Sequence, residues 1–110
     1  MNNIFAKLPS QAQSSELINN LLQTRHFSLK RIISTGQATP DGEWYDQEED
    51  EWCILLTGSA ALRFEGQSEL IELKPGDHIH IPAHKRHQVA WTKLGEPSVW
   101  LALHYQADSF

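Results

Sequence analysis

Hydrophobic residues in this chain fall into short runs that are separated by glycine, proline and small polar residues. From residue 28 onward, about seven runs have the length and spacing of β-strands. They cover residues 28–35, 52–56, 60–64, 70–73, 78–81, 87–92 and 98–105. Many short strands with turn residues between them are typical of a sandwich or a jelly-roll barrel. The pattern therefore predicts an all-β fold with no internal repeat.

The first 27 residues differ from the rest of the chain. Residues 1–14 are polar and uneven, which indicates an extended arm. Residues 15–23 carry leucines and an isoleucine at helical spacing, and Ser14 or Ser15 could cap their first turn. We therefore predict a short N-terminal helix that packs outside a barrel. The chain divides into an arm with this helix, residues 1–27, and a barrel domain, residues 28–110.

Size and charge exclude several classes of protein. A chain of 110 residues corresponds to one domain. Its net charge of −5 argues against a nucleic-acid partner, and the basic cluster Lys85-Arg86 is too short to follow a phosphate backbone. No apolar run approaches the roughly 18 residues of a membrane span, and the start does not resemble a signal peptide. We expect a soluble cytoplasmic protein without a membrane partner.

The cysteine and the tryptophans are both interpreted as packing residues. Cys53 is the only cysteine, so no intrachain disulfide is possible, and its apolar surroundings indicate a buried inert thiol. Four tryptophans, at 44, 52, 91 and 100, are many for so small a chain. They could line an aromatic pocket, but core and interface packing explains them better. Together with the apolar stripe of the predicted helix, they favour a homodimer.

The chemistry-bearing residues stand beside turns. A Pro-Gly-Asp turn at 75–77 opens a short apolar run, Pro82 closes it, and His87 begins the next predicted strand. Upstream, Glu51 begins an apolar run that ends at Gly58. Imidazole is the commonest metal ligand among side chains, and a carboxylate on another strand could share an ion with it.

These two stretches resemble the two sequence motifs of the cupin superfamily. The second motif reads G-x5-P-x-G-x2-H-x3-N, and Gly76, Pro82 and His87 fall in register with it. His84 replaces its middle glycine, and Trp91 replaces its final asparagine.

The first cupin motif is incomplete. Glu51 and Gly58 match its E-x6-G portion, but both of its histidines are absent. Their places hold Trp44 and Asp46 if four residues precede the glutamate, or Tyr45 and Gln47 if three do. The resemblance covers roughly residues 28–105 and implies a cupin jelly-roll barrel.

The resemblance also implies a set of candidate metal ligands. His87 and Glu51 match the family's ligands, and Asp46 is a competent carboxylate substitute for a lost histidine. His84 lies three residues before His87 and could face the same ion if the turn is tight. Each has a plainer interpretation, because residues 48–51 form an acidic run and a turn histidine can be solvent-exposed. The implied cofactor is a divalent metal ion of unknown identity, or none.

Three further histidines have less definite roles. His104 shares a strand face with Ala102 and Trp100, and it could be a ligand, a substrate contact or a core residue. His78 and His80 flank isoleucines that belong in the core, so we expect both histidines to point outward.

The leading functional hypothesis is a small cupin that binds a divalent metal, a small polar ligand, or both in its barrel. Two alternatives differ in class. One is a metal-free binding or sensor module, favoured by the loss of the motif histidines. The other is a metal-independent isomerase or epimerase with His87 or His104 as general base. The fold alone does not choose the reaction.

Overall fold

A computed structural model of the chain describes residues 2–107 and contains eight β-strands. No helix occurs among these residues. The strands are β1 Leu17–Gln23, β2 Phe27–Ser34, β3 Asp50–Thr57, β4 Ala60–Phe64, β5 Ile71–Leu73, β6 His78–Ile81, β7 His87–Thr92 and β8 Ser98–Tyr105. The predicted all-β fold is confirmed.

The strands form two antiparallel sheets. The larger has the order β1-β2-β8-β3-β6, and the smaller has the order β5-β4-β7. The chain crosses between the sheets four times, from β3 to β4, from β5 to β6, from β6 to β7 and from β7 to β8. Strands that alternate between two sheets place residues distant in sequence, such as Glu51 and His87, on facing walls.

The predicted N-terminal helix is wrong, because residues 17–23 form strand β1 at the edge of the larger sheet. Strand β1 pairs with β2, and a register shift falls between Asn20 and Leu22. That irregularity breaks the simple alternation that identifies a strand, and it leaves leucines at a spacing that looks helical. Backbone pairing with β2 outweighs the helical preference of the leucines.

The core lies between the two sheets. Its largest fully buried side chains include Leu55 on β3 and Ile81 on β6, while Leu62 and Phe64 face them from β4. On β8, Trp100 and Ala102 are buried, which shows that the face they share points into the barrel.

Gly58, in the turn after β3, has a close neighbour on β8. Its φ is +82°, a left-handed conformation that favours glycine. A Cβ at this position would lie 2.1 Å from Ser98 Oγ and 2.7 Å from Ser98 Cα. The motif glycine therefore permits both a turn and a backbone contact.

Residues 2–107 include no helix that is long and apolar enough to span a membrane.

Candidate functional site

A pocket of about 320 Å³ opens between the two sheets. Most of its wall is apolar and comes from the core faces of the strands, including Leu62, Val89 and Trp100. Four polar side chains in the pocket wall lie close to one another, and we call them the polar end of the pocket. They are Glu51, Gln47, His87 and His104. A largely apolar cavity with a few converging polar groups is the usual form of a small-molecule site.

Glu51 is the charged member of the polar end. Strand alternation puts it on the same face of β3 as the buried residues Cys53 and Leu55, and its side chain is 12% exposed. Gln47 Nε2 donates a hydrogen bond to Glu51 Oε1 at 3.0 Å, and His104 Nε2 lies 3.3 Å from the same oxygen. Burial raises the pKa of Glu51, but the hydrogen bonds from His104 and Gln47 outweigh burial, and either histidine lowers the pKa further when its ring is protonated. The pKa is therefore below its ordinary value, and Glu51 is a carboxylate at neutral pH.

His104 belongs to this group, whereas the sequence left its role open between a ligand, a substrate contact and a core residue. It lies directly opposite Glu51 in the pairing of β3 with β8. Its Nε2 is 3.0 Å from Gln47 Oε1, and both neighbouring oxygens can only accept, so Nε2 carries a proton. His104 Nδ1 is buried and has no hydrogen-bond partner among residues 2–107. The sequence does contain a signal for this placement, because strand alternation puts His104 on the same face of β8 as Trp100 and Ala102. That signal becomes useful only when this face is known to be the buried one.

His87 presents its Nε2 atom to the pocket. Its Nδ1 lies 3.0 Å from the carbonyl oxygen of Lys85, which can only accept, so Nδ1 carries a proton. In the neutral ring, Nε2 then has a free lone pair, and it lies 3.9 Å from Glu51 Oε1. The ring is 5.4 Å from that of Tyr45 and 6.0 Å from that of Phe64, centroid to centroid. These rings and the Lys85 carbonyl fix the direction of Nε2.

Asp46 and His84 form a separate pair outside the polar end. Asp46 Oδ1 is 2.7 Å from His84 Nδ1, and their side chains are 47% and 64% exposed. His84 N also donates to the backbone oxygen of Gln47 at 2.8 Å. The structure thus divides the four candidate ligands into two pairs, Glu51 with His87 inside and Asp46 with His84 at the surface. The outer pair joins the loop that carries Gln47 to the turn before β7.

The missing motif histidines correspond to Tyr45 and Gln47, the three-residue alternative. Both residues line the pocket, whereas Trp44 and Asp46 do not. Tyr45 pairs with His87 through two backbone hydrogen bonds of 2.8 and 3.1 Å. Burial, with the nearby charge of Glu16 as the next cause, raises the pKa of the Tyr45 phenol, which therefore stays neutral.

The structure also places the cysteine, the two histidines of β6 and the tryptophan of β8. Cys53 is buried, as expected, and burial raises the pKa of its thiol to about 12. His78 and His80 point outward, as expected. Among the tryptophans, Trp100 is both buried and part of the pocket wall.

The donor set bears directly on the metal prediction. Glu51 Oε1 and His87 Nε2 are both able to bind a cation. The two motif positions that would complete a cupin metal site hold a neutral phenol and an amide, and His104 Nε2 carries a proton. Over residues 2–107, no group of three or more His, Cys, Asp or Glu side chains is placed to hold a metal ion. The inner pair offers two ligands rather than a complete set.

Comparisons with known proteins identify the family and agree with the fold. The family described as "Cupin domain" matches residues 32–104. A proposed mannose-6-phosphate isomerase from Ralstonia eutropha JMP134 is 46% identical, with a TM-score of 0.93 over 97% of this chain and 98% of that one. A cupin superfamily protein from Desulfitobacterium hafniense DCB-2 is 19% identical, with a TM-score of 0.74 over 97% and 92% of the two chains. An RmlC-like cupin with a double-stranded β-helix fold from Methanocaldococcus jannaschii is 16% identical, with a TM-score of 0.69 over 86% and 83%. Curated proteins give no match.

Proposed function

The chain belongs to the cupin domain family, and from that premise we propose that it binds a small organic molecule in its barrel through Glu51 and His87. The observation that carries this proposal is the pairing of two buried acceptor atoms, Glu51 Oε1 and His87 Nε2, 3.9 Å apart. That separation is too long for a hydrogen bond between them. A ligand hydroxyl or N–H group could satisfy both atoms.

The same pair could perform proton transfer. His87 Nε2 has the lone pair of a general base, and the Glu51 carboxylate would stabilise the imidazolium that forms. In an isomerisation of a 2-hydroxy carbonyl compound, Nε2 would take the proton from the hydroxyl-bearing carbon and return it to the former carbonyl carbon, while the hydroxyl proton passes to the carbonyl oxygen. The likeness to a proposed mannose-6-phosphate isomerase supports this reaction class. Gln47 and His104 would orient Glu51 and would not contact the reacting atoms.

Metal binding is the second candidate function. It is supported by the same two donor atoms, one imidazole nitrogen and one carboxylate oxygen, which together suit a first-row divalent ion. Such an ion would act as a Lewis acid on a bound oxygen. Glu51 and His87 would hold it from the inner wall, and Asp46 and His84 would have to leave their surface pair to take part.

Two measurements on one sample separate the candidates. Untagged protein is analysed by native mass spectrometry for a bound organic molecule and by elemental analysis for metal. We expect an organic ligand that is lost from Glu51→Gln and His87→Ala and retained by His78→Ala, whose histidine lies on the outer face. Stoichiometric metal that is lost from the same two variants would establish the second candidate instead.

We also propose a homodimer. Strand β1 is an edge strand, and its side chains Ile18 and Leu22 are 59% and 57% exposed. Exposed apolar side chains on an unpaired strand edge favour association with another chain. Sedimentation equilibrium would give twice the mass of the 12.6 kDa chain, and Leu22→Lys would lower that mass. A monomer at high micromolar concentration would contradict the proposal.

A further inference from the structure

The atoms that a ligand meets at the polar end of the pocket are acceptors. His87 Nε2 has a lone pair in the neutral ring, Glu51 is a carboxylate, and His104 Nδ1 is buried without a hydrogen-bond partner among residues 2–107. The neighbouring donors make hydrogen bonds within the protein, because Gln47 Nε2 donates to Glu51 at 3.0 Å and His104 Nε2 faces Gln47 Oε1 at 3.0 Å. A bound group that could only accept would face these acceptors without a hydrogen bond, which costs free energy.

The charges around the pocket also disfavour a ligand that carries negative charge. The described residues that line it include three carboxylates, Glu16, Glu49 and Glu51, and one ammonium, Lys30. Glu16 and Glu49 are half-buried, and Glu51 is nearly buried. An anion that enters the pocket approaches more negative than positive charge, and the low local dielectric strengthens the repulsion.

The rest of the pocket suits an apolar body. Its wall includes Ile32, Leu62, Val89, Trp100 and Ala102. The volume of about 320 Å³ lies at the small end of the usual range for ligand pockets. A six-membered ring with one polar substituent is of suitable size, and a long chain of polar groups would place some of them against this wall.

We infer that the pocket selects a small ligand with a hydrogen-bond-donating head, either cationic or uncharged, on an apolar body, and that it rejects anionic heads such as phosphate. This inference rests on the proposed function and narrows it. It also implies that a sugar phosphate is not the ligand of this chain. His87, whose side chain is 6% exposed, supplies the acceptor nitrogen aimed into the pocket.

The test uses four probes that share one apolar ring and differ only in the head. They are cyclohexylamine, cyclohexanol, cyclohexanecarboxylate and cyclohexyl phosphate. Binding to the full chain at neutral pH and low salt is followed by the NMR shifts of the β7 amides and the Trp100 indole N–H. We expect the ammonium to bind most tightly, the alcohol next, and the two anions at least about tenfold more weakly than the ammonium.

Substitutions identify the source of the selectivity. Glu51→Gln keeps the shape of the side chain and removes its charge. It should therefore weaken binding of the ammonium probe and reduce the difference in affinity between that probe and the two anions. Glu72→Gln, an exposed position on β5, is the matched control and should leave the order unchanged.

The outcomes separate the inference from the proposed function. Tighter binding of the carboxylate or phosphate at the pocket resonances overturns the selectivity and leaves the binding function standing. Pocket resonances that respond to none of the four probes at millimolar concentration count against the proposed function itself.

Discussion

Glu51 and His104 face each other across strands β3 and β8, and His104 Nε2 lies 3.3 Å from Glu51 Oε1. Gln47 completes the contact by donating to the same oxygen at 3.0 Å. These neighbours hold an ionised carboxylate in a nearly buried position, and they leave the facing nitrogen of His87 for a ligand. The site therefore depends on a pairing of strands as well as on the two cupin motifs.

The ionised state of Glu51 makes the stability of the folded protein depend on pH in the acid range. Its pKa in the folded chain is below the ordinary value of 4.5. Its contribution to stability is therefore full above about pH 4.5 and is lost as the pH falls through the folded pKa. Urea unfolding at neutral and acid pH should show a smaller loss for Glu51→Gln than for the wild type. Glu65→Gln, at an exposed ion pair, is the control, and equal losses for wild type and Glu51→Gln would contradict this account.

The surface pair of Asp46 and His84 should be dispensable for stability. His84 has a φ of +63°, which costs a side chain about 1–2 kcal/mol that glycine avoids. An exposed ion pair contributes at most about 1 kcal/mol. His84→Gly should therefore change the free energy of unfolding by less than about 1 kcal/mol, while His87→Ala should cost about 2 kcal/mol or more because it empties a packed position. A loss in His84→Gly as large as in His87→Ala would show that the pair is part of the core of the site.

The family motif explains this position. The cupin motif has glycine where this chain has His84, and the left-handed φ of His84 is the conformation that glycine adopts most easily. The sequence pattern therefore reports the backbone geometry of the turn. It could not report where the imidazole would point.

Gly58 should be the less replaceable of two glycines with similar backbone conformations. Gly58 and Gly66 have φ values of +82° and +84°, so the backbone strain of an alanine is similar at both. Only Gly58 has a close neighbour, Ser98, where a Cβ would overlap. Gly58→Ala should cost about 3 kcal/mol, and Gly66→Ala about 1 kcal/mol. Thermal and urea unfolding measure the difference, and equal losses would refute the proposed contact.

Cys53 should be unreactive in the folded protein. Burial raises the pKa of its thiol to about 12 from an ordinary 9.0. Mildly above neutral pH, the fraction of thiolate is then about a thousandfold lower than in the unfolded chain, and the thiolate is the reactive form. Ellman's reagent should label the native protein slowly and the guanidinium-unfolded protein at once. Fast labelling of the native protein would mean that the β3 face is open to solvent.

Strands with turn residues at both ends were predictable from sequence. The bounds of β4, β6, β7 and β8 agree with the apolar runs, because Gly and Pro mark their ends. Strand β1 was not predictable in this way, since its identity depends on pairing with β2 and its alternation is broken by a register shift.

The candidate site was only partly predictable. The cupin motifs identified Glu51 and His87, because their spacing from turn glycines fixes their place in the barrel. His104 required knowledge of which face of β8 is buried. The separation of Asp46 and His84 from the inner pair depends on the path of two loops, which residue spacing does not define.

The ring nitrogens of His87 provide the most direct test of the account. A long-range ¹H–¹⁵N correlation spectrum at neutral pH reports which nitrogen of each imidazole is protonated. We predict a proton on Nδ1 of His87 and on Nε2 of His104, and a shift of the His87 Nε2 signal when cyclohexylamine is added. A His87 ring protonated on Nε2, or an Nε2 signal that does not respond to the probe while other pocket signals do, would contradict the claim that His87 and Glu51 bind the ligand.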